Sequence, residues 1–173
     1  MTLSLYDMTV PTYLQILGGL RGVLAKGLEH AKNTRVDPQT LVEARLTSDM
    51  LALDFQIRSV VNHSLGALRD VSKGSYTMPT NGTFDYAGLQ RLIVEAETAL
   101  KGFTPQAVNA QEGKALNFDF GSYKATFTAE DYLLSFALPN FYFHAVTAYG
   151  ILRMKGVPIG KGDYVGQVRM KFG

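Results

Sequence analysis

Three imidazoles occur in this sequence, at His30, His63 and His144, and two of them fall where chemistry could be built. His144 lies in the apolar run "LPNFYFHAVTAYGILR", four residues after Asn140, so on a helix the two side chains stack on one face. Earlier in the chain Gln56 and His63 stand seven residues apart, which brings them within about 20° of each other on a helical wheel. Asp54 projects half a turn away and does not join them. Two imidazoles with amide oxygens can bind a divalent metal through His63 and His144, or hold a small molecule with Gln56 and Asn140 as orienting groups. In either case His144 is the candidate general base. The alternative is a hydrogen-bonded core network, in which Asn140 satisfies carbonyls released by a kink at Pro139 and His63 is a solvated flank residue. His30 is a cation near a helix C-terminus.

Other chemistries find no support. With no cysteine there are no disulfides, thiolate metal sites or cysteine nucleophiles, in keeping with a reducing, cytoplasmic setting. "KGSYTMPTNG" lacks the ordered glycines of a phosphate loop, the scattered glycines near the N-terminus follow no strand, and no serine sits in a nucleophile elbow. Glu95 with Glu97, and Glu130 with Asp131, read as a solvated face and a helix start. A net charge of +2 makes no case for nucleic acid. No uncharged apolar run spans a membrane, and "MTLSLYDMTV" has no basic n-region of a signal peptide. Charged residues are only 18%, which suggests that a partner covers part of the surface.

The elements that must position these residues are mostly helical, and 173 residues form one domain, 1–173. Thr9 caps a first helix with Pro11 in its first turn and an apolar face of Tyr13, Leu17, Leu20, Leu24 and Leu28. Gly18, Gly19, Gly22 and Gly27 each cost that helix about 1 kcal/mol and imply close packing on a neighbour. Asp37-Pro38 opens a short connecting helix. The second long helix is expected from near Ser48 to Lys73-Gly74, with Leu46, Met50, Leu53, Ile57, Val60, Ala67, Leu68 and Val71 in one stripe. A third starts near Asp85, and residues 101–114 read as irregular. Alternation of Leu116, Phe118 and Phe120, then Tyr123, Ala125 and Phe127, about Gly121-Ser122 predicts a hairpin with a type II′ turn. "TAED" then opens the last helix, to Lys155-Gly156. The fold class is all-α with a small β-hairpin: an antiparallel four-helix bundle with the hairpin before the last helix.

Pro139 stands about ten residues inside that helix and predicts a kink. Leu133, Ala137, Asn140, His144, Ala148 and Ile151 share one stripe facing the bundle. Leu138, Tyr142, Val146 and Tyr149 make the opposite side apolar too, so the hairpin and a second subunit of a homodimer are expected to cover it.

"EARLTSDMLALDFQIRSV" together with "FTAEDYLLSFALPNFYFHAVTAYGILRMKGVPIGKGDYVG" resembles an uncharacterised bacterial and fungal family. That family is grouped with the DinB/YfiT-like four-helix-bundle proteins, many of them metalloenzymes, and the resemblance runs from "SLYDMTVPTYL" through "KGDYVG". It implies the bundle fold and a metal held by three histidines, one from the second helix and an H-x-x-x-H pair from the last. Some members are thiol-dependent transferases or isomerases. In this sequence the pair reads Asn140-Phe141-Tyr142-Phe143-His144, and the second-helix place falls to His63 or Gln56. An asparagine oxygen is a weaker, neutral ligand, so affinity for zinc or nickel drops.

Overall fold

Ser4 and Asp7 start the first helix one turn earlier than the Thr9 cap expected. Asp7 donates its backbone N–H to Ser4 Oγ at 3.2 Å, and the Ser4 N–H returns to Asp7 Oδ2 at 3.1 Å, a reciprocal cap that leaves Thr9 inside the helix. Thr9 is buried there and donates its hydroxyl to the Leu5 carbonyl. Helix α1 (Leu5–Thr34) then runs past Pro11 and ends on Arg35 in the left-handed region. The computed structural model describes residues 3–78 and 82–170.

Asp37 caps α2 (Pro38–Val42) as expected. The next rod begins at Leu53 rather than near Ser48, because Met50 N–H bonds to the Thr47 carbonyl and residues 47–50 close a turn rich in turn-forming side chains. Leu46 and Met50 therefore fall outside the buried stripe, and Leu46 is exposed. The rod comprises α3 (Leu53–Val61), a π-helical turn π1 (Asn62–Gly66) and α4 (Ala67–Lys73), and stops at Gly74 with φ 76°. Asp85 caps α5 (Tyr86–Leu100). The tract read as irregular holds a short helix, α6 (Pro105–Asn109), which Thr104 caps in front of Pro105.

Strands β1 (Ala115–Phe120) and β2 (Tyr123–Thr128) pair antiparallel, with Phe118 opposite Ala125 and Phe120 opposite Tyr123. Gly121 has φ 63° and Ser122 has no positive φ, which fits the II′ turn. The last rod is α7 (Ala129–Asp131), a second π turn π2 (Tyr132–Ala137) and α8 (Leu138–Met154), followed by α9 (Lys161–Val165).

Helix α3 packs on α5 and α8, while α1 packs on α5, α8 and α9. At the centre Tyr13 and Phe141, both fully buried, meet edge to face at 4.9 Å. The hairpin hangs on the end of α4: Tyr76 donates its N–H to the Asn117 carbonyl, and Asn117 donates to Gly74, each at 2.9 Å. Phe118 and Phe127 then stack into a layer with Tyr76, Tyr132 and Phe136, while the turn end, with Phe120 and Tyr123, stays exposed. It leaves the outer face of α8 open in the single chain, at Tyr142, Phe143 and Val146. Tyr149 is instead met by Tyr164 of α9, at 5.9 Å.

Two of the costly glycines of α1 now have a reason. A β-carbon at Gly19 would collide with the Tyr164 carbonyl oxygen, and one at Gly27 with the Tyr86 hydroxyl, which donates to the Leu24 carbonyl at 2.9 Å. Gly22 faces open space. We expect Gly19→Ala to lose about 1–3 kcal/mol in urea unfolding, whereas Gly22→Ala should gain up to about 1 kcal/mol from helix propensity. Equal stabilities for the two variants would contradict the close approach of α9.

Candidate functional site

The two π turns place the site. Pro139 has no N–H to give, and just ahead of it the helix widens, with Leu138 N–H reaching the Leu133 carbonyl five residues back. The Asn140 side-chain amide donates to the Phe136 carbonyl at 2.8 Å, one residue beyond the Ser135 carbonyl that Pro139 leaves without its helical donor. In the facing rod no proline is present. There Ser64 donates its hydroxyl to the Val60 carbonyl at 2.7 Å, a side-chain bond that loosens a helix locally, and π1 carries His63.

His63 is not a solvated flank residue: it is only 6% exposed, and its Nδ1 is buried with no partner among the described residues. Its ring lies parallel to that of His144, within 5° and 5.6 Å between centroids. Phe136 and Phe55 close the pair with their edges, at 5.5 Å from His63 and 5.7 Å from His144. His144 Nδ1 is 2.8 Å from Gln56 Oε1, and Gln56 Nε2 donates to the Leu51 carbonyl at 2.8 Å. Because a carbonyl only accepts, the amide nitrogen of Gln56 must face Leu51, and its oxygen must face His144. That oxygen also only accepts, so Nδ1 of His144 carries the proton and Nε2 carries the lone pair.

Burial lowers His144 to about 4, and burial together with the nearby His144 ring lowers His63 to about 4 as well. Both are neutral at pH 7. They face a cavity of about 420 Å³ whose wall also includes Ser59 and Asn140. Its apolar part comes from Phe55, Tyr76, Phe120 and Phe136, so loop and hairpin complete what the helices begin. Gln56 stands behind His144 rather than in this wall.

Arg58 also reaches the cavity, and its guanidinium is paired with Asp54 at 2.8 and 3.0 Å while lying over the Phe55 ring. Asp54 thus keeps away from His63, as its wheel position required. Among the described residues no three of His, Cys, Asp or Glu gather as a metal site. The sequence reading missed Ser59, Arg58, Tyr76 and Phe120. The aromatic alternation of the hairpin was visible, but its placement over two helices depends on Gly74 and Asn117, which carry no such signal.

Across the second rod Asp70, 2% exposed, accepts a hydrogen bond from the Tyr132 hydroxyl at 3.1 Å, and burial raises its carboxyl. It ties α4 to π2, the two segments that frame the histidine pair.

Helical rods packed as a bundle, with a small antiparallel hairpin before the last of them, make a DinB-like helical fold. The crystal structure of a DinB family member protein from Shewanella denitrificans is similar to it, with 28% identity and a TM-score of 0.80 over 98% of this chain and 96% of that one. Residues 5–165 match the family model described as a domain of unknown function, DUF1993, and the chain belongs to that family. No curated protein matches it. No helix among the described residues is long and apolar enough to cross a membrane.

Proposed function

We propose that this DUF1993 protein binds a small molecule in the cavity between its second and fourth rods, with His144 as the recognition centre. The observation that carries this reading is the Leu51–Gln56–His144 chain of hydrogen bonds, which fixes one tautomer of a neutral imidazole at the wall of an aromatic cavity. Cavities of some hundreds of cubic ångströms, mostly apolar with a few convergent polar groups, are what small ligands occupy. A base lowered to about 4 takes up protons weakly at pH 7, so the geometry favours binding over proton abstraction.

The donor set fits a resident divalent metal poorly. His144 Nε2, a ring nitrogen of His63 and Asn140 Oδ1 are all neutral, no carboxylate among the described residues lines the cavity to balance the charge, and the Arg58 guanidinium does line it. Elemental analysis of untagged protein is expected to find zinc and nickel well below one per chain. In the same preparation, side-chain 15N spectra during fragment titration should show His63 and His144 moving together. Stoichiometric metal that is lost in His144→Ala would replace this reading with a metal centre.

A further inference from the structure

Which molecules the cavity can take follows from the direction of its hydrogen bonds. The Asn140 amide is oriented like that of Gln56: its nitrogen faces the Phe136 carbonyl at 2.8 Å, leaving Oδ1 as an acceptor with no bond to the described residues. One helical turn further on, His144 gives its only proton to Gln56, which leaves Nε2 as a second acceptor, also without such a bond. Two fixed acceptors therefore stand on one face of α8, four residues apart. Ser59 can donate or accept and does not change the balance.

Charge narrows the choice further. No carboxylate among the described residues lines the cavity to receive a cation, and Arg58 lies at its wall. An anion would meet two lone pairs, and the guanidinium that could attract it is held by Asp54 on two nitrogens. The remaining wall is aromatic, with Phe55 and Phe136 set edge-on to the two imidazoles. Resting on the binding role proposed above, we infer that the cavity selects an uncharged aromatic molecule bearing an N–H or O–H group, which it receives on His144 Nε2 and Asn140 Oδ1.

Calorimetric titration of the full chain with four probes tests this: indole, 1-methylindole, benzoate and benzylammonium. Indole and 1-methylindole share shape and differ in the single donor. Leaving a buried acceptor unmade costs about 1–3 kcal/mol, so indole should bind on the order of tenfold tighter or more. Both ions should bind more weakly than indole. His144→Phe should narrow the indole to 1-methylindole ratio, and His144→Phe combined with Asn140→Leu, which removes both acceptors, should bring it close to one. A second readout needs no variant: at saturation the 15N resonance of His144 Nε2 should shift far more with indole, which donates to it, than with 1-methylindole. Equal affinity for the two indoles, or preference for either ion, overturns the inference while the cavity remains a binding site. If no probe binds and none moves the His63 and His144 resonances, the binding role itself falls.

Discussion

Phe141→Ala should cost about 3–5 kcal/mol of folding stability, a large share of what a domain of this size holds. The ring is fully buried and stands edge to face with Tyr13, itself fully buried, so truncation removes both the transfer energy and an oriented aromatic pair. The cavity cannot close easily, because Tyr13 belongs to a 30-residue helix held on its other sides by α5 and α9. Phe141 also lies between Asn140 and His144 in the sequence and ties their helix to α1, on the side away from the pocket. Its loss should therefore loosen the positioning of both acceptors. Phe141→Leu, which keeps most of the volume, is expected to cost less than half as much. Urea unfolding of both variants at pH 7 checks the size. A Phe141→Ala midpoint equal to the parent's would mean that α8 is not anchored through this ring.

What the sequence makes legible follows its periodicities. Gln56 and His144 needed only the helical wheel, since both sit on stretches whose apolar spacing fixes which way they point. His63 was placed beside Gln56 by a wheel that assumes 3.6 residues per turn. The chain instead inserts π1, whose wider turn seats His63 against His144 and buries it. Nothing in "NHSLG" announces that widening beyond Ser64, whereas Pro139 does announce a disturbance in the facing rod, though the structure answers it with a π turn. The start of the second rod was misplaced because Leu46 and Met50 extend the apolar stripe in register, while Ser48 and Asp49 turn the chain. Helix periodicity alone could not arbitrate between the two. The lid residues Tyr76 and Phe120 come from segments far apart in sequence, and their meeting depends on a bridge between Ser75 and Asn117. The glycines of α1 were legible as a demand for close packing; that α9 answers it at Gly19 was not.

Acidification from pH 7 to pH 4.5 should remove stability through the same histidines that recognise the ligand. In the unfolded chain an imidazole titrates near 6.5, and in the fold both fall to about 4. Between those values the unfolded state binds more protons, so unfolding free energy rises with pH. The stabilising contribution is whole above about 6.5 and is lost as pH falls toward 4. A shift of that size on His63 corresponds to about 3 kcal/mol; His144, only half-buried, contributes less. The two are coupled, since a charge on either ring faces the other across a parallel stack at 5.6 Å. Arg58 at the cavity wall adds a third positive charge, and Asp54 already answers it. Asp70 works in the opposite sense: its raised carboxyl takes up a proton more readily folded than unfolded, which offsets part of the loss at the acid end. Lowered carboxyls at Asp7 and Asp163 lose their contribution only as pH falls to their own, still lower range, which leaves the interval from 6.5 to about 4.5 to the histidines. Urea midpoints at pH 7.0, 5.5 and 4.5 should therefore fall steadily in the parent and markedly less in His63→Gln. If the parent's midpoints stay level, neither ring is held neutral by the fold, and the acceptor face of His144 loses its physical basis.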